Sequence, residues 1–407
     1  MNTDRNKLTA DWVSDPVLGD VLAALTSYGA EARVVGGAVR NAILGLPVND
    51  IDIATVSVPN DVIELANTAG MKVVATGIDH GTVTIVHQKR AFEVTTLRED
   101  VETHGRHATV RFGTSWQRDA ERRDFTMNAL YMDPDGSLFD PVGGYDDCVA
   151  GRVRFIGRAR DRIEEDYLRI LRYFRFYAQF DQGSMDDEAL HAAISHRDGL
   201  RQLSRERIGQ EFSRLLMAPG AAATITVMVE AGLAGQILGG VAYHRSFAGL
   251  ADIEAATGRT PSLVARYAAL AGSISEDAVR VAERLRLSNE VQDGIAGIYG
   301  VKTTDWPLSD KPARAQLYGS DPVSFENAVL YAWAKSTAAA AEEEWREFLE
   351  LTGRWTAPKF PVSGRDLLAA GASAGPEIGR ILSALEGRWI ADDFQAGRDE
   401  ILSWIPA

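Results

Sequence analysis

Two rhythms of apolar and polar positions divide this chain near residue 160. Before it, short β-branched runs separated by turns predict strands at Ala32–Val35, Ile51–Ala54, Lys72–Ala75, Gly81–Val86, Ala91–Thr96 and Leu130–Met132. An amphipathic stretch over 11–29 predicts a leading helix, and the apolar run Ala38–Leu44 predicts another directly after Gly36 and Gly37. Beyond 160 almost every segment has helical periodicity, with loops expected at Ala218–Gly220, Gly258–Pro261 and Ala357–Ser363. The alanine-rich Thr337–Ala341 fits a helix. The fold class expected is α+β: an α/β head on one mixed sheet, then helices alone. We expect a head over 1–150, a helical neck over 151–220, and a helical body and tail over 221–407.

The same alternation sorts the chemistry. Along Asp50-Ile51-Asp52-Ile53 the isoleucines take the core side, so the two aspartates share the opposite face. Ahead of them a strand–Gly36-Gly37–helix turn exposes backbone N–H groups, where an anion is welcome. Two carboxylates on one strand face beside a phosphate cradle are what Mg²⁺-assisted phosphoryl transfer needs. Glu93, between the core residues Phe92 and Val94, is a candidate third carboxylate near the metal. Arg40, one helical turn past the glycines, is placed to pair with a triphosphate. In this order the pattern resembles the nucleotidyltransferase superfamily that includes DNA polymerase beta and the tRNA CCA-adding enzymes.

Length and charge refine this picture. The chain has 407 residues, too many for one small core, so two or three domains are expected. No apolar run is long enough to span a bilayer, and the polar start Asn2–Lys7 has no signal-peptide core, so a cytoplasmic location is expected. Cys148 is the single cysteine, which excludes an intramolecular disulfide and a cysteine-rich zinc site. A net charge of −14 argues against a general nucleic-acid coat protein. Residues 151–176 are the exception: eight arginines and no lysine stand against four acids, a basic island suited to bidentate phosphate and base contacts.

Two further strings carry candidate contacts. In Arg122-Arg123-Asp124-Phe125-Thr126-Met127-Asn128-Ala129, Arg123 is a candidate second phosphate clamp and Asp124 a candidate ribose contact. In Glu165–Phe176, Asp166, Arg169, Arg172 and Arg175 recur every three residues on one flank of a predicted helix. Cytosine and adenine both present an amine donor beside a ring-nitrogen acceptor. An Asp acceptor beside an Arg donor therefore complements both, while uracil and guanine meet like poles.

Together these strings resemble the class II tRNA nucleotidyltransferases, over about residues 30–220. The Gly-Gly-x-Val-Arg, Asp-x-Asp, Glu-Val-Thr-Thr, Arg-Arg-Asp-Phe-Thr-x-Asn-Ala and Glu-Asp-x-Leu-Arg-x-x-Arg patterns occur in family order, and Ser204–Glu211 matches the motif that closes the neck. The resemblance implies a nucleotidyltransferase-type head and Mg²⁺ held by Asp50 and Asp52. It implies that Gly36, Gly37, Arg40, Arg123, Asp124, Asp166, Arg169, Arg172 and Arg175 bind CTP or ATP, and that the substrate is a tRNA 3′ end. No membrane and no obligate protein partner are implied. The expected function is template-independent addition of C, C and A to tRNA. The alternatives are an A-adding enzyme or poly(A) polymerase of the same fold, and a catalytically silent RNA-binding protein.

Two departures from the family pattern stand out. Asn41 occupies a position where the family usually has Asp, and His104-Gly105-Arg106-His107 replaces Asp-Gly-Arg-His in a loop implicated in the switch from C to A addition. His191, His196 and His244 are scattered without a His-Asp pair, so the phosphohydrolase domain of some members is not expected.

Overall fold

Every β-branched run singled out above forms a strand, and alternate burial is clearest in the runs near Gly81–Val86 and Ala91–Thr96. A computed structural model describes residues 7–75, 77–104, 107–180, 183, 185–303, 305–336, 343–371 and 375–405, with backbone alone at 79 and 99–111. The helix expected over Thr337–Ala341 lies outside the described residues, as do Gly105 and Arg106.

The strands are β1 (Ala32–Val35), β2 (Asp52–Thr55), β3 (Lys72–Val74), β4 (Thr82–His87), β5 (Arg90–Thr96), β6 (Arg98–His104), β7 (His107–Phe112), β8 (Tyr131–Met132) and β9 (Leu138–Phe139). Seven of them make one mixed sheet in the order β3-β4-β5-β2-β1-β8-β9, in which β2 and β5 run parallel and the other pairs antiparallel. His104 and His107, expected as part of a loop, lie at the ends of β6 and β7, which pair as an antiparallel ribbon apart from the main sheet.

The chain forms two compact units, 1–224 and 225–407. In the first, the helices are α1 (Pro16–Thr26), α2 (Gly37–Ile43), α3 (Pro59–Thr68), α4 (Trp116–Glu121), α5 (Gly144–Val149), α6 (Ala159–Glu165), α7 (Leu168–Phe180), α8 (Asp187–Ser195) and α9 (Arg205–Leu216), and α10 (Ala221–Glu230) leads out of it. The single helix expected over 11–29 is divided. Asp11–Ser14 is a 3₁₀ turn, and α1 begins afresh at Pro16, where the Asp15 carboxylate accepts the Val17 N–H at 2.9 Å. Val35, Ala54, Leu97, Trp116, Ala120, Ala129, Tyr131 and Ile156 form a core beneath the sheet centre, and the open end of the β1–β2 pair is the one where Val35 at the close of β1 meets Asp52 at the start of β2.

The second unit has helices and no strand among its described residues: α11 (Leu233–Leu238), α12 (His244–Thr257), α13 (Leu263–Ala271), α14 (Ser275–Leu285), α15 (Asn289–Gly300), α16 (Asp310–Tyr318), α17 (Pro322–Lys335), α18 (Glu343–Leu349), α19 (Leu351–Arg354), α20 (Gly364–Ala369), α21 (Pro376–Ala391) and α22 (Arg398–Ser403). Arg266 and Glu254 make a buried ion pair at 2.7 Å between α13 and α12. Val362, Leu367, Leu385, Trp389, Ala396 and Ile401 form a separate cluster at the C-terminal end.

Candidate active site

The turn after β1 requires glycine. Gly36 has φ 72° and ψ −118°, its N–H donates to the Leu130 carbonyl at 3.0 Å, and an added Cβ would lie 3.5 Å from the Asn128 carbonyl oxygen. Gly37 then opens α2, which has only seven residues, so local N–H groups and Arg40 matter more there than a helix dipole.

Three carboxylates gather on the neighbouring strands. Asp52 is the first residue of β2 and is exposed between the buried Ile51 and Ile53, which is the alternation expected from the sequence, whereas Ala54 and Thr55 further along are both buried. Asp50 sits exposed in the lead-in, and Glu93 on β5 is in parallel register with Asp52. Partial burial pushes the Asp52 carboxyl above the usual carboxylate range, the neighbouring Glu93 and Asp50 add to the rise, and Arg123 opposes it. Crowded hard oxygens of one charge suit a divalent cation. Among the described residues no three such groups already converge on one point, so a bound metal would draw them together.

Behind them lies a chain of fixed arginines. Asp119 on α4 is 1 % exposed and holds Arg122 at 2.6 Å and Arg123 at 3.1 Å, while the Tyr131 hydroxyl donates to it at 2.8 Å. Burial alone would raise Asp119, but Arg123 and Arg122 outweigh it and hold the carboxyl low. Asp124, the candidate ribose contact, is 8 % exposed and already engaged. It accepts from Asn128 Nδ2 at 3.0 Å and from the Arg172 guanidinium at 2.6 Å. Its carboxyl also sits low, because Arg172 and Asn128 overcome the effect of burial.

Asn128 passes the contact on by accepting Arg40 Nη1 at 2.6 Å. Asn41 accepts Arg40 Nη2 at 2.8 Å, so the residue that departs from the family pattern still orients Arg40, though with a neutral oxygen. Burial lowers the Arg40 pKa to about 10. Arg172 and Arg175 share the buried Glu211 of α9, at 3.7 and 2.6 Å. The Phe176 ring lies under Arg40, Arg172 and Arg175, with guanidinium carbons 5.3, 5.4 and 4.4 Å from its centre.

The flank expected to carry Asp166 and Arg169 side by side is interrupted. Asp166 ends α6 with extended backbone (φ −152°, ψ 107°), and α7 starts at Leu168. Their side chains do not pair with each other, although the Arg169 N–H donates to the Asp166 carbonyl at 2.9 Å. Asp166 accepts from Leu168 N at 3.1 Å and from Arg207 Nη2 of α9 at 2.7 Å. Arg169 donates to Glu165 at 2.5 Å, to the Arg162 carbonyl at 3.0 Å and to the Arg122 carbonyl at 3.2 Å. Each side chain is thus aimed by its own partners.

These groups meet in one pocket of about 350 Å³, lined by Gly36, Gly37, Arg40, Asp52, Arg122, Arg123, Asp124, Asn128, Asp166, Arg169, Arg172 and Phe176. Of the residues expected from sequence, Asp50, Glu93 and Arg175 are not in its wall. Sequence reasoning missed Asp119, Asn128, Arg207 and Glu211 as supports. Asn128 had only the general signal of a polar residue inside an apolar segment, and Asp119, among Gln117, Arg118, Glu121 and Arg122, had no such signal. Arg207 and Glu211 fall in the neck-closing motif but carried no role there. Cys148, whose thiol is pushed up to about 12 by burial, lies behind α2 with Sγ 3.8 Å from the Arg40 carbonyl oxygen and is not a nucleophile.

The basic island is less basic in space than in sequence. All eight arginines have a carboxylate partner, and three of those carboxylates, Asp124, Asp147 and Glu211, come from outside the island. Arg152, Arg154, Arg158 and Arg160 are the most exposed of the eight.

Known proteins match both units. Residues 32–154 match the family described as poly(A) polymerase head domain, and residues 184–244 the family described as probable RNA and SrmB-binding site of polymerase A. The chain is 36 % identical over 389 residues to human mitochondrial CCA tRNA nucleotidyltransferase 1, covering 92 % of this chain and 86 % of that protein. It is 31 % identical over 403 residues to the CCA-adding enzyme of Geobacillus stearothermophilus, covering 95 % of each. The crystal structure of the Bacillus stearothermophilus CCA-adding enzyme in complex with CTP superposes with a TM-score of 0.74 at 29 % identity, covering 96 % of each chain.

Proposed function

The chain belongs to the family of CCA-adding tRNA nucleotidyltransferases, and from that premise we propose how its own residues carry the reaction. The activity is addition of C, C and A to the tRNA 3′ end from CTP and ATP. The observation that supports the assignment of roles is the single pocket in which the glycine turn and Asp52 face Arg123, Asp166, Arg169 and Arg172.

Enzymes of this family generally work with a divalent metal, and Mg²⁺ suits the hard oxygens here. Asp50 and Asp52 would hold it, with Glu93 beside them. Bound there, it would activate the tRNA 3′-hydroxyl and neutralise charge on the leaving pyrophosphate. Gly36 shapes the turn through its positive φ, Gly37 offers its N–H to the triphosphate, and Arg40 and Arg123 clamp it. Arg172 and Arg175 set the positive field from behind, held by Glu211. Asp124 fixes Asn128 and Arg172 and, lining the pocket, remains the candidate ribose contact. Asp166 and Arg169 read the base edge. Head, neck, and body with tail are taken as 1–150, 151–220 and 221–407. Among the described residues no helix is long and apolar enough to cross a membrane, and a cytoplasmic site of action belongs to the same proposal.

The defining experiment supplies CTP and ATP, separately and together with Mg²⁺, to tRNA lacking its 3′ end, and sequences the products. Ends extended by CCA support the proposal. Extension by A alone, or a run of A, assigns the pocket to the A-adding alternative, and no extension assigns it to a silent RNA binder.

Asp166→Ala is expected to reduce discrimination of CTP and ATP over UTP and GTP. Loss of a matched polar contact costs about 1–3 kcal/mol, or roughly five- to a hundredfold in selectivity. The measurement is incorporation of each nucleotide in single turnover; wild-type selectivity in the variant would exclude Asp166 as the reader.

Binding of tRNA is expected to weaken with salt. The exposed ion pairs of Arg152, Arg154, Arg158 and Arg160 are worth little in water and exchange readily for phosphate. If all four engage, log K against log [salt] has a slope of roughly −3. Replacing Arg158 and Arg160 by Ala flattens the slope by about one to two; an unchanged slope would place the RNA elsewhere.

A further inference from the structure

The unit of residues 225–407 contains a cavity of about 660 Å³, nearly twice the volume of the nucleotide pocket, walled by α15, α16 and α17. One wall is aromatic, from Trp306 and Phe325. The polar wall is acidic: Glu290 and Asp293 stand about one turn apart on α15, and Asp321 joins them while also capping α17 through the Ser324 N–H at 2.9 Å. No lysine or arginine lines the cavity, and among the described residues neither Glu290 nor Asp293 has an ion-pair partner. Like charges at this spacing repel one another.

A second observation is independent of the acids. Asn327, on α17, is 7 % exposed, lines the cavity, and has no hydrogen-bond partner among the described residues. Its amide is not sealed off as a fully occluded polar atom would be, so its access to solvent runs through the cavity. A buried amide left unpaired is costly, and a donor and an acceptor are both on offer to whatever enters.

We propose that this cavity is a binding site for a small organic cation, an ammonium ion on an apolar body, whose charge meets Glu290 and Asp293 and whose body packs on Trp306 and Phe325 above Asn327. The volume lies in the range of small-molecule sites, which runs from about 300 to 1,000 Å³. Acidic walls repel RNA phosphates, so the cavity is not an extension of the tRNA surface. An ammonium ion on an apolar body uses both the acidic wall and the aromatic wall.

The test is calorimetric titration of the full-length protein with 2-phenylethylammonium chloride, using 2-phenylethanol as the neutral counterpart. One site per chain is expected, with affinity for the alcohol lower by about tenfold or more. The exposed double substitution Glu290→Gln with Asp293→Asn is expected to weaken the ammonium ion to a similar degree and leave CTP incorporation unchanged. Asn327→Leu removes an unpaired amide, so its melting temperature is expected not to fall even as ammonium binding weakens. Absence of saturable binding at millimolar ligand overturns the proposal. So does binding that is equal for the alcohol, or unaffected in the Glu290 and Asp293 variant.

Discussion

Asp52→Asn is expected to lose nucleotide incorporation by roughly a thousandfold or more, since metal-assisted charge stabilisation supplies several kcal/mol and each 1.36 kcal/mol is a factor of ten. The change keeps the shape of the side chain and removes a hard anionic oxygen from the mouth of β2, where Glu93 lies in register on β5. The isoleucine behind it, Ile53, is buried and unaffected, so the fold is retained. Affinity for tRNA is expected to stay within about twofold, because a lost metal ligand touches no surface charge that contacts the RNA. Asp50→Asn is expected to act in the same direction. Single-turnover transfer of CMP to tRNA lacking its 3′ end gives the rate, and filter binding gives the affinity. Incorporation within about tenfold of wild type in both variants would remove these carboxylates from the metal site. The pH profile carries the same assignment. Burial and the two neighbouring carboxylates raise Asp52, so the metal-free enzyme takes up a proton there at higher pH than an ordinary aspartate. Raising the metal concentration is then expected to move the acid limb of the rate profile to lower pH.

Asp119→Ala is expected to destabilise the first unit by about 3–5 kcal/mol, the usual cost of removing one partner from a buried ion pair. Asp119 is 1 % exposed and is the shared acceptor for Arg122, Arg123 and the Tyr131 hydroxyl, so its loss strands two guanidinium groups at the sheet. Urea denaturation followed by circular dichroism measures the change, and a loss below about 1 kcal/mol would show that the arginines are held by other contacts. KM for CTP is expected to rise as well, because Arg123 loses its anchor. The acid dependence follows from the sign of the shift. The native carboxyls of Asp119 and Asp124 titrate below the ordinary value of 3.8, so the unfolded chain binds protons first. Their contribution is complete above that value and is lost as pH falls through it toward the native pKa. In the Asp119→Ala variant the acid-induced fall in stability is expected to be shallower.

The elements nearest the chemistry were legible because they depend on local pattern. Alternation along Asp50–Ile53 placed two acids opposite two core residues before any fold was known, and the strand–glycine–helix sequence at 32–44 predicted both the turn and its need for glycine. Other features depended on partners far along the chain. Nothing local says that Asp124 faces Arg172, 48 residues on, or that Asp166 is held by Arg207 across 41. Periodicity alone placed Asp166 on the same helix as Arg169, but the Asp166 side chain accepts the Leu168 N–H, and local capping of this kind competes with helix continuation. The ribbon of β6 and β7 likewise rests on backbone pairing between two separate segments.

The basic island shows the same division. Counting residues 151–176 found an excess of four positive charges, and that count is correct for the segment. Folding brings Asp124, Asp147 and Glu211 to it from outside, so the field around the pocket is set by pairs that a linear count cannot see. By itself, then, the sequence determined which residue types are present, which face of a strand or helix each occupies, and the order of the motifs, since these depend on periods of two and 3.6 residues. The tertiary structure alone decided which arginines stay accessible and which are bound to carboxylates, and how Asp166 and Arg169 are aimed. Those outcomes are set by distances between residues remote in sequence and by the low dielectric in which they meet.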